Sequence, residues 1–249
     1  MAALNSGGYV VTWVSLNQDG GGQGIFAQRY DFLGRPDGDE FQVNTTTVGD
    51  QTQPRIAAFN LGFVVTWTSY NGTNSEVMCQ RFDADGERIG KEFPVNTEKT
   101  NYQAVPVVTQ LANGGFAVAW TSTQQDGSLG GVYAQRFKPN GARAGQEFRV
   151  NVVTANHQEF PTIAGLTNGG FVIGWQSWMQ DTSGVGVFAR IYSMTGTPAA
   201  TEFPVNTFTT GDQGLPDVTG LNNGGFFFAW TSFGQDGDNL GIFGQRFTP

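Results

Sequence analysis

A short loop of Gln, Asp and Gly recurs along the chain and carries residue types that bind ligands. Its copies are Gln18-Asp19-Gly20, Gln125-Asp126-Gly127, Gln180-Asp181-Thr182 and Gln235-Asp236-Gly237. Carboxylates in such turns are oxygen ligands for Ca²⁺. The candidate metal ligands are therefore Asp19, Asp126, Asp236 and Asp238. An Asp that caps its own turn through a local hydrogen bond explains the same pattern without metal, and one carboxylate per loop falls short of the ~6–8 oxygens of a full site.

The position just before this loop varies among the copies and is aromatic in three of them, at Tyr70, Trp178 and Phe233. An aromatic ring beside amide groups suits a sugar, which offers an apolar face to stack and hydroxyls to bond. The candidate ligand-binding residues are therefore Tyr70, Trp178, Phe233, Gln18, Gln125, Gln180 and Gln235. Trp178 is the strongest candidate, because it is the one Trp outside the repeated set described below. Packing at the edge of a sheet is the alternative role for Trp178.

No arrangement typical of a catalytic centre is visible in the sequence. His157 is the only His and Cys79 the only Cys, so no metal-binding set of these residues can form. The chain has no phosphate-binding loop and no nucleophile elbow. The carboxylates of Asp236 and Asp238 could do acid and base chemistry, but no cleft is indicated around them. The sequence therefore predicts no catalytic residues and a protein that is not an enzyme.

The elements that carry these residues come from an internal repeat. Five segments of the type GGFVVTW each contain one Trp at the same place, namely Trp13, Trp67, Trp120, Trp175 and Trp230. Their spacings are 54, 53, 55 and 55 residues. The repeats run approximately over 1–53, 54–105, 106–160, 161–215 and 216–249, and we expect them to form a single domain over 1–249.

The sequence of each repeat predicts four short antiparallel strands. β-Branched and aromatic residues dominate runs of about seven positions bounded by Gly pairs, too short and too β-rich for helices. Four strands at this period are typical of a β-propeller blade. We predict an all-β, five-bladed β-propeller of four-stranded antiparallel blades. The chain stops before a fifth copy of the EFxVN segment, so we expect the fifth blade to lack its outer strand and its open edge to pair with another chain.

The repeat resembles two groups of proteins. The strand order and spacing are similar to tachylectin-type and WD-type propellers, although the chain has neither a Trp-Asp dipeptide nor a Gly-His signature. The sequence GGFVVTW, followed by the Gln-Asp-Gly loop and GIFAQRF, resembles tandem repeats of large secreted or surface proteins of bacteria. The resemblance implies an extracellular or cell-surface protein with lectin-like or adhesive properties.

Composition excludes some partners. The formal net charge is −8, and 13 Lys and Arg residues are spread along the chain. Such a chain has no basic stripe for nucleic acid. No apolar run approaches the ~18 residues that span a bilayer, so membrane insertion is not expected.

These observations favour a non-enzymatic, multivalent carbohydrate-binding module whose ligand is a glycan, with no cofactor other than the Ca²⁺ considered above. The alternative is a structural or protein-interaction propeller from a larger surface or adhesive protein, with a surface protein as its partner.

Overall fold

The computed structural model describes residues 1–5, 7–59 and 62–248 of the chain. Leu61, with which the second Trp segment begins, lies outside these residues. In this part of the chain all regular elements are strands, and no helix is long and apolar enough to cross a membrane. The chain divides into two compact units, Met1–Gln110 and Leu111–Pro249.

The described residues of the first unit form nine strands. They are β1 (Ala2–Ala3), β2 (Tyr9–Leu16), β3 (Gln23–Tyr30), β4 (Phe41–Gln42), β5 (Asp50–Phe59), β6 (Gly62–Tyr70), β7 (Ser75–Asp83), β8 (Arg88–Pro94) and β9 (Gln103–Gln110). One face of β2 and β3, with Val10, Ile25 and Ala27, packs against Phe63 and Trp67 of the next sheet. The period-2 alternation of the strands creates this apolar face.

The second unit contains ten strands. They are β10 (Phe116–Thr123), β11 (Gly130–Phe137), β12 (Phe148–Arg149), β13 (Gln158–Gly165), β14 (Phe171–Trp178), β15 (Val185–Tyr192), β16 (Phe203–Pro204), β17 (Gln213–Gly220), β18 (Phe226–Phe233) and β19 (Leu240–Phe247). Its Val172, Val187 and Ala189 pack against Phe228 and Trp230 in the same way.

The strands form five antiparallel sheets, in the orders β1-β2-β3-β4, β5-β6-β7-β8, β12-β11-β10-β9, β13-β14-β15-β16 and β17-β18-β19. The repeats therefore fold as predicted, with four strands in four sheets and three in the fifth. The recurrent Trp residues serve packing: Trp67, Trp120, Trp175 and Trp230 are at most 5% exposed. Burial of side chains this large is a main source of stability, with truncation to Ala costing ~3–5 kcal/mol each.

The first strand of a repeat is interrupted by a bulge at the residue before its Pro. This residue has a positive φ in four repeats, at Gln53, Val105, Phe160 and Leu215. The register of β13 on β14 shifts between Glu159 and Thr162. Because Pro has no N–H to donate to the ladder, a bulge accommodates it, and a bulge also redirects the neighbouring side chains. The bulges thus turn the side chains of Phe160 and Leu215 towards solvent, where they are 38% and 62% exposed.

Candidate functional site

The Asp of each Gln-Asp loop is held by hydrogen bonds inside its own repeat. In the third repeat, Oδ1 of Asp126 accepts the backbone N–H of Ser128 at 3.1 Å, and Oδ2 accepts from Nδ2 of Asn151 at 3.3 Å. A Cβ on Gly131 would lie 2.7 Å from the same carboxylate. The first and fourth repeats show the same Asn-to-Asp bond, from Asn44 to Asp19 at 3.0 Å and from Asn206 to Asp181 at 3.4 Å. These contacts explain why Asp recurs in the loop.

The last Gln-Asp loop carries two carboxylates, Asp236 and Asp238, instead of one. Oδ1 of Asp236 accepts the backbone N–H of Asp238 at 3.3 Å, and Asp238 accepts from the backbone and side chain of Asn239 at 2.8 and 3.0 Å. Among the described residues, no group of three or more His, Cys, Asp or Glu side chains could hold a metal ion. Ca²⁺ binding at Asp19, Asp126, Asp236 and Asp238 stays a prediction, while the local hydrogen bonds already account for the loop.

The Gln of the loop bonds to the Glu of the fourth strand segment. Nε2 of Gln125 donates to Glu147 at 2.6 Å, while its Oε1 accepts the hydroxyl of Ser122 at 2.7 Å. Gln18 donates to Glu40 and Gln180 to Glu202 in the equivalent way. Oε1 of Gln235 is buried without a hydrogen-bond partner in the described structure. A ligand role for these amides stays a prediction.

Tyr70 and Phe233, two of the candidate aromatic residues, lie in different units. In the first unit, Tyr70 stacks on Tyr102 with ring centroids 6.1 Å apart and donates its hydroxyl to the carbonyl of Gly72 at 2.8 Å. A hydrogen bond with Tyr102 raises the pKa of Tyr70. In the second unit, Phe233 is 51% exposed at the end of β18. Both rings are therefore open to solvent at least in part.

Trp178 is a partly exposed ring whose orientation is fixed by a hydrogen bond. It ends β14, is 43% exposed, and donates its indole N–H to Oε1 of Glu159 at 3.0 Å. The ring of His157 meets it edge-on, with centroids 6.3 Å apart. A fixed aromatic face beside polar groups is the arrangement that a sugar-stacking site needs.

Glu159 is linked through Gln176 to the neighbouring strand β17. Nε2 of Gln176 donates to Oε1 of Glu159 at 3.2 Å, and Oε1 of Gln176 accepts the backbone N–H of Leu215 at 3.1 Å. Two residues further along β17, Oδ1 of Asp217 accepts the hydroxyl of Thr162 at 3.2 Å and its own strand's Val218 N–H at 3.0 Å. Glu159 of β13 thus lies next to the Trp178 ring, and Asp217 lies on the adjacent strand β17, bonded to Thr162 of β13.

Sequence reasoning missed Glu159 and Asp217, although a signal for them existed. The other repeats have Thr52, Ala104 and Gly214 at the position of Glu159, and Arg55, Val107 and Thr162 at the position of Asp217. A carboxylate present in a single copy answers no need that every repeat shares. The same criterion that singled out Trp178 therefore applies to both carboxylates.

Comparisons with known proteins identify the fold. No protein-family model and no curated protein sequence matches the chain. Among solved structures, a protein of unknown function from Dyadobacter fermentans is 15% identical, with a TM-score of 0.59, over 98% of this chain and 74% of its own. The endo-arabinase of Bacteroides thetaiotaomicron is 13% identical, with a TM-score of 0.53, over 96% of this chain and 93% of its own. A thermostable family-43 glycoside hydrolase is 9% identical, with a TM-score of 0.53, over 96% and 90%.

The class of fold is therefore the five-bladed β-propeller, as the repeat predicted. The finer resemblance to tachylectin-type and WD-type propellers is not supported, because the similar structures include family-43 glycoside hydrolases. The lectin-like, adhesive and secreted character that accompanied that resemblance has no support from these matches and stays a prediction.

The expectation about function was wrong. A non-enzymatic binding module, with a structural or protein-interaction propeller as the alternative, was expected, whereas the propellers similar to this chain include an arabinase and other glycoside hydrolases. The expectation rested on the lack of a local catalytic motif. A pair of carboxylates supplied by separate strands forms no local motif in a sequence, so the lack of a motif did not exclude an enzyme.

Proposed function

We propose that the chain is a glycoside hydrolase that cleaves bonds in arabinose-containing glycans. The observation that carries the proposal is a carboxylate, Glu159, bonded to the Trp178 ring, with a second carboxylate, Asp217, on the adjacent strand β17. The substrate class follows the names of similar structures, which include an endo-arabinase and an arabinanase complexed with arabinobiose. Extracellular or cell-surface localisation fits a glycan substrate and remains a prediction.

Glycoside hydrolysis uses two carboxyl groups, one as an acid for the leaving oxygen and one as a base or nucleophile. Glu159 is the more buried of the two carboxyl groups and takes the role of the acid. Asp217 is exposed on β17 and takes the role of the second carboxylate, which activates water or attacks the anomeric carbon.

The Trp178 ring provides the surface on which a sugar ring stacks next to these carboxylates. Stacking on an aromatic face contributes ~0.5–1.5 kcal/mol beyond the area buried. Phe233 lies at the equivalent position of the following repeat within the same unit and offers a second exposed ring. Tyr70 occupies the equivalent position in the first unit.

The test is hydrolysis of arabinan, arabino-oligosaccharides and xylan by the full chain, measured as the appearance of new reducing ends. The variants Glu159→Gln and Asp217→Asn keep the hydrogen-bond acceptors but remove the acid and base. We expect each to lower kcat at least about a hundredfold, the lower end of the range for a general acid or base. Glu76→Gln is the matched control, because Glu76 forms an ion pair with Lys99 on the first unit's surface.

Two results would contradict the proposal. Absence of hydrolysis on every arabinose- and xylose-containing substrate would remove the proposed activity. Hydrolysis that survives unchanged in both Glu159→Gln and Asp217→Asn would keep the activity but reject this pair of carboxylates.

A further inference from the structure

Two tyrosine rings from consecutive repeats meet on the surface of the first unit. Tyr70 ends β6 and Tyr102 lies directly before β9, and their rings stack with centroids 6.1 Å apart and planes inclined by 14°. Tyr102 is 48% exposed, and Tyr70 is half-buried. We name Tyr70 and Tyr102 together the Tyr platform.

The Tyr platform differs from the stacked rings that recur in the sheets. Within each sheet, a ring near the start of the Trp strand stacks on a ring near the end of the following strand, with centroids 4.7–5.1 Å apart. These recurrent pairs are Tyr9 with Tyr30, Phe63 with Phe82, Phe116 with Phe137, Phe171 with Tyr192 and Phe226 with Phe247. A pair that recurs in all five repeats meets a packing need that the repeats share.

The Tyr platform, in contrast, occurs once. The other repeats have different residues in place of Tyr70, namely Leu16, Thr123, Trp178 and Phe233. In place of Tyr102 they have Asp50, His157 and Asp212. Packing common to the repeats therefore does not explain this pair of exposed rings.

Hydrogen bonds around the Tyr platform hold both rings in place. The hydroxyl of Tyr70 donates to the carbonyl of Gly72 at 2.8 Å. The hydroxyl of Ser75 donates to the carbonyl of Gln103 at 3.0 Å and accepts its backbone N–H at 3.1 Å, which fixes the segment that carries Tyr102 against β7. Side chains that are fixed before a ligand arrives lose little conformational freedom on binding.

The loop beside Tyr70 adds a polar group to the platform. This loop has four residues, 71–74, whereas the corresponding loops of the other repeats have six, and it lacks their Gln and Asp. Oδ1 of Asn71 accepts the backbone N–H groups of Thr73 and Asn74 at 3.0 and 2.9 Å. Among the described residues no hydrogen bond engages the amide NH₂ of Asn71, which can therefore donate to a ligand.

Exposed aromatic rings bordered by an amide donor suit a sugar, which offers an apolar C–H face to stack and hydroxyls to bond. Pro-rich peptides also pack on aromatic grooves, but the amide donor beside Tyr70 favours the sugar. We propose that the Tyr platform binds a sugar ring of a neutral glycan chain, as a second glycan site besides the one at Trp178. That the glycan contains arabinose rests on the proposed function. The platform holds the glycan by binding alone, because the carboxylates assigned to hydrolysis belong to the second unit.

The test is an NMR titration of the full chain, labelled with ¹³C in its Tyr rings, with an arabino-oligosaccharide. The chain carries Glu159→Gln and Asp217→Asn, so that the proposed carboxylates do not hydrolyse the sugar. We expect the ring signals of Tyr70 and Tyr102 to shift and to saturate as the sugar is added. The signals of Tyr9 and Tyr30, a stacked pair of the recurrent kind in the same unit, should stay in place and serve as the internal control.

Substitutions assign the signals and test the stacking. Tyr70→Thr and Tyr102→Asp introduce residues that other repeats carry at these positions, which keeps the local backbone compatible. Tyr102→Asp should weaken the binding reported by Tyr70 about tenfold, because one of the two stacking rings is lost. Tyr102→Phe keeps the ring and should bind within about twofold of the unaltered chain. The matched control is Phe32→Ala, which removes a 79% exposed ring of the same unit and should leave the binding unchanged.

Three results would overturn the proposal: no shift of the Tyr70 and Tyr102 signals at any sugar concentration, equal binding after Tyr102→Asp, or shifts with a Pro-rich peptide and none with the sugar. Hydrolysis by the unaltered chain is measured separately. A chain that hydrolyses arabinan without shifts at the Tyr platform keeps the proposed function and loses this second site. Saturable shifts in a chain that hydrolyses nothing keep the second site and reject the enzyme.

Discussion

Substitution of Asn151 by Ala tests whether the recurrent pattern of the Gln-Asp loops is structural. Asn151 is 2% exposed. Its Oδ1 accepts the backbone N–H of Val132 at 2.8 Å, and its Nδ2 donates to Val153, Gln158 and Asp126 at 2.8, 3.2 and 3.3 Å. One side chain therefore joins the third strand, the loop after the fourth strand and the Asp of the Gln-Asp loop.

The magnitude follows from the groups that the substitution leaves unpaired. The N–H of Val132, which is fully buried, loses its acceptor, at a cost of ~1–3 kcal/mol. The Asp126 carboxylate loses a charged hydrogen bond worth ~1.5–3 kcal/mol. We expect the free energy of unfolding to fall by about 4 kcal/mol, which lowers the melting temperature by roughly 10 °C in a chain of this size.

Urea unfolding followed by Trp fluorescence measures the change. Asn113→Ala is the matched control, because Asn113 is an exposed turn residue in the same unit that accepts one backbone N–H, from Gly115 at 3.0 Å. We expect the control to cost about 1 kcal/mol. If Asn151→Ala costs no more than Asn113→Ala, the structural account of the loop fails and the case for another role of Asp126 grows.

Three further predictions concern single side chains. Burial raises the pKa of the Cys79 thiol well above its usual value, so Ellman's reagent should not react with the native chain at pH 8 and should titrate one thiol in urea. Burial raises the pKa of Tyr192 to about 12. The neutral phenol therefore contributes on the order of 2–3 kcal/mol of stability that is complete below pH 10 and is lost as the pH rises from about 10 to 12. The melting temperature of Tyr192→Phe should fall less over that pH range than that of the unaltered chain. Trp178→Ala should raise KM about tenfold on an arabino-oligosaccharide, as expected for lost stacking, and should also lower kcat because Glu159 loses the indole hydrogen bond; an unchanged KM would reject the stacking role.

The repeat made the fold predictable from the sequence, since the period of the Trp residues sets the number of sheets and the β-rich runs set the strands. Packing of the recurrent Trp residues and the shortened fifth sheet follow from the same pattern. The candidate site was only partly predictable. Trp178 was visible as a Trp outside the repeat, whereas Gln176 reaches Glu159 across 17 positions and Thr162 reaches Asp217 across 55 positions of the chain. Such long-range contacts leave no local pattern of side chains in the sequence.

The central claim is that the carboxylates of Glu159 and Asp217 hydrolyse a glycosidic bond. Its most direct test is incubation of the full chain with an arabino-oligosaccharide in water enriched in ¹⁸O, with products followed by mass spectrometry. We predict shorter products that carry one ¹⁸O atom at the new reducing end, and their loss in the double variant Glu159→Gln/Asp217→Asn but not in Glu76→Gln. Intact substrate with the unaltered chain, or labelled products that persist in the double variant, would contradict the account.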